Sequence, residues 1–141
     1  MNSWLDFVTG IAVFLGGGLG AALRWILSTA LAGSTGVGSV PHFPWPTFTV
    51  NALGCLAAGA LLGFFETPAF ASLEAEKSVL FSRFLLTGFL GGFTTFSAFS
   101  LEVLQLWRTG HFGWAGITWL VSAVFLPLLA AAGFSWMKQL S

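Results

Sequence analysis

Four long apolar stretches alternate with short polar or glycine- and proline-rich ones along the 141 residues. A helix needs about 20 consecutive apolar residues to cross a bilayer. The stretches at residues 7–31, 47–65, 83–106 and 112–136 each approach or exceed that length, so the pattern predicts an all-α integral membrane protein with four transmembrane helices in a single domain, residues 1–141. Between the first two stretches, residues 32–46 hold Gly33, Gly36, Gly38, Pro41, Pro44 and Pro46, a turn-rich connection whose prolines cannot continue a helix. Glu66, Thr67 and Pro68 close the second stretch, and Glu74, Glu76 and Lys77 mark a solvated surface loop running to Phe81. Trp107-Arg108-Thr109-Gly110-His111 reads as an interfacial tryptophan, a charge and a tight turn. Tryptophans 4, 25, 45, 107, 114 and 136 fall near the span ends, where aromatic belts sit at headgroup depth.

The third stretch departs from plain hydrophobicity. Thr87-Gly-Phe-Leu-Gly-Gly-Phe-Thr-Thr-Phe-Ser-Ala-Phe-Ser100 combines a glycine pair with a run of hydroxyl residues. Lipid cannot satisfy the backbone groups such a segment loosens, so the third helix is expected to be broken mid-membrane where it faces protein or water. Broken spans at the midplane tend to be ion sites. Phe96 and Phe99 are three apart and share a helix face, with Ser100 beside them and Thr95 and Ser97 flanking, which reads as the wall of a pore.

Composition removes other classes. Hydrophobic residues make up 56 % of the chain and charged ones 7 %, with mean hydropathy +0.88, so most of the surface must face lipid. Formal net charge is zero and no basic run exceeds one residue, which removes the electrostatic footprint of a nucleic-acid binder. Met1 to Asp6 carries no Lys or Arg, so the first apolar stretch is expected to stay in the protein as a true span. Cys55 is a lone cysteine in an apolar run, read as a small buried thiol. His42 reads as a solvated loop residue, with no second ligand at metal spacing.

Polar residues inside the spans are the candidates for chemistry. Gly16 and Gly20, four apart, let another helix approach closely, as do Gly59 and Gly63; Gly18-Leu-Gly20 lacks the preceding strand of a dinucleotide fingerprint. Arg24, a guanidinium within a span, is expected to find a water-filled cavity, a carbonyl or the interface, and either lines a vestibule or snorkels to the headgroups. Asn51 either glues two helices or offers its amide donors to an anion. Thr118 and Ser122 share one face of the fourth span and either bond their own preceding carbonyls or line a pore, while Pro127 frees the carbonyl of Ala123. Glu102 lies toward a membrane end.

Orientation follows from charge. Lys77, Lys138 and Arg83 fall on one side of a four-span chain, and Arg24 and Arg108 on the other. So slight a bias predicts insertion both ways round and an antiparallel homodimer; the competing expectation is a modest preference for the three-charge side facing the cytoplasm.

Gly17-Gly-Leu-Gly-Ala21 leading to Arg24, Thr47-Phe-Thr-Val-Asn51 leading to Gly54, and Gly88-Phe-Leu-Gly-Gly-Phe-Thr-Thr-Phe-Ser-Ala-Phe-Ser-Leu-Glu102 together resemble the Fluc (CrcB) fluoride channels of microbes across all four spans. The resemblance implies a dual-topology homodimer in the cytoplasmic (inner) membrane that exports fluoride passively along two interfacial pathways, with one structural Na+ at its centre. It further implies that the carbonyls of Gly91 and Thr94 face that sodium, and that Phe96, Phe99, Asn51, Ser97 and a fourth-span hydroxyl, Ser122 or Thr118, line the pathway. Ala98 departs from the pattern, standing where the family often has threonine. A small anion entering a narrow pore must exchange its hydration for donors such as amides, hydroxyls and ring edges, with which these residues are compatible.

Other classes fit less well. A proton-coupled small multidrug-type exporter, also a short dual-topology dimer, needs an acid titrating in mid-membrane, and none is placed for it. An assembly subunit would use the glycine spacings but gives no reason for Thr94-Thr-Phe-Ser beside a glycine pair. A membrane enzyme would need clustered His, Cys, Asp or Glu, which the chain does not offer.

Overall fold

Pro46 can sit in the opening turn of a helix because its missing N–H has no intrahelical partner there, and the second span starts one residue before it, at Trp45. The computed structural model describes residues 3–34 and 43–140; His42, Gly36, Gly38 and Pro41 of the first connection lie outside the described residues. The helices are α1 (Ser3–Ser34), α2 (Trp45–Phe65), α3 (Pro68–Ala71), α4 (Ala75–Ser82), a π-helical segment (Arg83–Leu90), α5 (Gly91–Phe93), α6 (Phe96–Arg108) and α7 (Phe112–Leu140). There is no strand among the described residues. Four runs are long and apolar enough to cross a membrane: Ser3–Ala32, Trp45–Phe65, Ala75–Arg108 and Phe112–Leu140. They outrun the apolar stretches because helical hydrogen bonding continues through polar residues at the ends.

The second connection corrects one expectation. Residues 66–81 are largely helical: Thr67 caps α3 by accepting from the Phe70 N–H at 3.3 Å, and Pro68 follows at a position that suits proline. The α4 surface is solvated as expected, with an exposed Lys77–Glu74 pair at 3.0 Å. Phe64 and Phe65 of α2 meet Phe70 and Phe81, closing this corner with apolar rings. At the other end Gly110, at φ +81°, makes the α6–α7 turn that a side chain would strain.

Glycines set how closely the spans approach. α1 runs parallel to the π segment, and a Cβ on Gly20 would lie 2.0 Å from the Phe89 carbonyl oxygen, one on Gly92 2.3 Å from that of Gly17. α2 runs parallel to α7, with the same closeness at Gly59 against Ala130 and Gly133 against Leu56. Small residues allow this backbone contact, and dispersion between the touching helices holds it where lipid offers no hydrophobic drive. Between the two pairs lies a small core of Val50, Leu90 and Phe93, packed by Leu27, Ala57 and Leu86. Most remaining large apolar side chains point outward, as a lipid-facing surface requires.

Candidate functional site

The helical ladder of the third span stops at two residues. Thr94 (φ −81°, ψ 157°) and Thr95 (φ −149°, ψ 117°) are extended between α5 and α6. Extended backbone frees N–H and C=O groups that must find other partners. Asn51 of α2 supplies two of them: its Nδ2 donates to the Thr95 carbonyl at 2.9 Å, and its Oδ1 accepts from the Thr95 N–H at 2.7 Å. Thr95 then caps α6, its hydroxyl accepting from the Ala98 N–H at 3.2 Å and lying 3.1 Å from Ser97 Oγ. Thr94 closes the preceding turn, donating its hydroxyl to the Leu90 carbonyl at 2.9 Å. Arg24 donates its Nε to the Gly92 carbonyl at 3.1 Å, the carbonyl partner that was one of the expectations for a guanidinium within a span.

Two open cavities meet at Asn51 and Phe96. One, of about 350 Å³, is lined by Gly91, Thr94 and Thr95, together with Cys55. The other, of about 280 Å³, is lined by Phe99, Ser122 and Trp119. Asn51 uses its oxygen and one of its two N–H groups on Thr95, so one N–H is left to donate. The structure thus shows Asn51 tying α2 to the third span, with one N–H beyond those two bonds.

Phe96 and Phe99 are neighbours, with ring centroids 5.6 Å apart and planes tilted by 42°. Their settings differ, however: Phe99 is buried, while Phe96 is 79 % exposed and stands out from the protomer. An aromatic ring so placed beside the extended Thr94 and Thr95 is a surface that another molecule can cover. The α6 N-terminus begins at the same ring, and its helix dipole favours negative charge there.

The hydroxyls divide. Ser100 donates to the Phe96 carbonyl at 2.9 Å, the usual use of a helical serine. Ser122 faces the second cavity. Thr118 is fully buried and its Oγ1 has no hydrogen-bond partner, so the expectation that it bonds its own preceding carbonyl does not hold. The Gly91 and Thr94 positions share the first cavity, and the Thr94 carbonyl accepts no hydrogen bond among the described residues. Oxygen donors of this kind suit a hard cation.

One pair was not expected from the sequence. Thr47 donates its hydroxyl to Glu102 Oε1 at 2.5 Å, tying α2 to α6 one turn of α2 away from the Asn51 bracket. The signal was present in the spacing: Thr47 precedes Asn51 by one helical turn, and Glu102 follows Phe99 by three residues.

The family model for CrcB-like proteins (Camphor Resistance, CrcB) matches residues 11–134, nearly the whole helical region. The chain belongs to the CrcB family. It is 37 % identical over 132 residues to a protein of Phocaeicola vulgatus named fluoride-specific ion channel FluC, covering 92 % of this chain and 97 % of that one. Relatives with the same name in Rhodopseudomonas palustris (40 % over 134 residues, 95 % of this chain and 100 % of that one) and Methylobacillus flagellatus (42 % over 128 residues, 90 % and 92 %) are similar over most of the chain. With four apolar helices, this CrcB chain is a multi-pass membrane protein.

Proposed function

We propose that the chain is the subunit of a fluoride channel that lets the anion leave the cytoplasm passively across the cytoplasmic (inner) membrane. The observation that carries this reading is the meeting of Asn51, Phe96, Phe99 and Ser122 at one cavity in a chain whose relatives are named for fluoride conduction. The spare Asn51 N–H, the hydroxyls of Ser122 and Ser97, and the positive edges of Phe96 and Phe99 are the donors that replace water around the ion. Thr95 and Ser100 flank the route and fix the turn that presents it. Thr118 continues the Ser122 face one turn on.

The extended Thr94–Thr95 pair is, in this reading, the mid-membrane break of the third helix. Its open side is covered by a second copy in the opposite orientation, giving an antiparallel dual-topology homodimer and two routes for fluoride. The exposed ring of Phe96 and the open cavity beside Gly91 and Thr94 support that assembly. A structural Na+ would be held on the dimer axis by the Gly91 and Thr94 carbonyls of both copies, where it neutralises backbone dipoles without taking part in permeation. Arg24, fastened to the Gly92 carbonyl, steadies the strand of backbone leading into that site.

The proton-coupled exporter reading asks for a carboxylate in an open mid-membrane cavity. Glu102 is the acid nearest the site, and it lines neither cavity. The test is efflux from liposomes holding the purified chain, followed with a fluoride electrode and with chloride as competitor. Fluoride released without a proton gradient, with chloride retained, is expected. Release that requires a proton gradient would favour the exporter.

A further inference from the structure

The end of the third span that carries Arg108 has no carboxylate of its own. Residues 25–50 and 103–123, which hold the first connection and the α6–α7 turn, contain no Asp or Glu. Glu102, the acid nearest in sequence, is turned to Thr47. Lys77 pairs with Glu74, Lys138 with Glu66, and Arg24 is held by the Gly92 carbonyl. Arg108 makes no ion pair among the described residues, and neither its guanidinium nor the side-chain amide of Gln105 takes part in a hydrogen bond there.

Arg108 stands at the polar end of a groove of about 540 Å³ on α6, lined by Leu101, Leu104, Gln105, Arg108 and Thr109. These positions recur at three or four residues and form one helix face, with both leucines exposed. At about 100° per residue, the middle of that face lies about 130° or more around α6 from Phe96, Phe99 and Leu106. It therefore looks away from both cavities at Asn51 and from the buried side of the helix. Leu101 and Arg108 are about 10 Å apart along the axis, about a third of the hydrocarbon thickness of a bilayer. Arg108 also ends the third membrane-spanning run, and the exposed Trp107 beside it meets the Phe112 ring edge-on at 4.9 Å. Aromatic rings of this kind mark headgroup depth.

We propose that this groove holds one anionic phospholipid, its phosphate oxygens accepting from the Arg108 guanidinium and the Gln105 amide, and the upper part of one acyl chain lying on Leu104 and Leu101. Charge and shape choose the occupant together. A guanidinium fork pairs bidentately with phosphate, and a lipid of net negative charge supplies the countercharge that this end of the chain lacks. A zwitterionic lipid brings its own cation, which offsets that attraction. A free phosphate leaves the two leucines unused. The site needs only the membrane placement of α6 and is independent of fluoride conduction.

The experiment is lipid titration of the purified full chain in detergent, read by native mass spectrometry, with phosphatidylglycerol and phosphatidylcholine of the same acyl chains. A juxtamembrane cation is worth about fivefold in affinity for an anionic lipid. The wild type is expected to prefer phosphatidylglycerol by about that factor, and Arg108→Gln to lose the preference. Arg108→Lys keeps part of it, since an ammonium cannot reproduce the fork. Leu104→Gln weakens both lipids, and Arg83→Gln, which removes another exposed cation, leaves the preference intact. All four positions are exposed, and an unchanged far-UV circular dichroism spectrum shows that each variant folds. Equal affinity of the wild type for the two lipids overturns the proposal, as does an equal loss in Arg83→Gln, which assigns the effect to surface charge in general. Unchanged binding in Leu104→Gln, or displacement of the lipid by inorganic phosphate at matching concentration, assigns the arginine to a free anion instead. A dimer that Arg108→Gln dissociates in phosphatidylcholine alone assigns it to a carboxylate of a second copy, and so also overturns the lipid site.

Discussion

Replacing Asn51 by Ala removes both hydrogen bonds that close the backbone at Thr95, the 2.9 Å bond to its carbonyl and the 2.7 Å bond from its N–H. Within membranes a side-chain hydrogen bond is worth about 0.6 kcal/mol on average and up to about 1.7. Thr95 has no helical partner to turn to, since it caps α6, but the open cavities beside it admit water and soften the loss. The sum is about 1–3 kcal/mol, or roughly 5- to 150-fold in the ratio of folded to unfolded chain. Unfolding by SDS titration in mixed micelles, followed by tryptophan fluorescence, measures it. Leu53→Ala, an outward-facing change on the same helix, is the control and should stay within about 0.5 kcal/mol of wild type. If Asn51→Ala is as stable as that control, the bracket does not hold the interruption in place, and the geometry of Phe96 and Phe99 needs another cause.

Phe96→Ile and Phe99→Ile should each reduce fluoride flux in liposomes. Phe96 is exposed in the protomer, so its variant should do so without lowering protomer stability in detergent; unchanged flux in both would remove the rings from the route. Gly59→Ala places a methyl 1.8 Å from the Ala130 carbonyl oxygen and must push α2 from α7, costing about 1–3 kcal/mol or more, whereas Gly10→Ala meets nothing within 4 Å and should be silent in the same unfolding titration. Exchanging Na+ for a large organic cation should weaken the dimer in size-exclusion chromatography with no change in helix content; an unaffected dimer would argue against carbonyl ligation at Gly91 and Thr94.

The sequence made the helices legible because one signal dominates a membrane chain: length of apolar run. Tight contacts at Gly16, Gly20 and Gly59 were equally readable, since only small residues at that spacing let backbones touch. The helical character of residues 75–82 was missed because charge suggested a loop, whereas Glu74 and Lys77 sit on an exposed helix start. At the site, spacing paired Phe96 with Phe99 but could not show that one ring is buried and the other exposed, which depends on how α6 is set against α2 and α7. The bridging role of Asn51 was legible as a lone amide in an apolar span, but its target, the Thr95 backbone, was not. Glu102 was set aside for its place near a span end; only the three-dimensional packing joins it to Thr47.

The central claim is that fluoride passes between two copies of this chain lying in opposite directions. Adding several lysines to the connection after α2 in one variant, and to the α6–α7 turn in another, should fix each in a single orientation. Fluoride efflux from cells or liposomes carrying either variant alone, against both produced together, tests the claim most directly. Little efflux from each alone and full efflux from the pair is the predicted result; full efflux from one orientation by itself would contradict it.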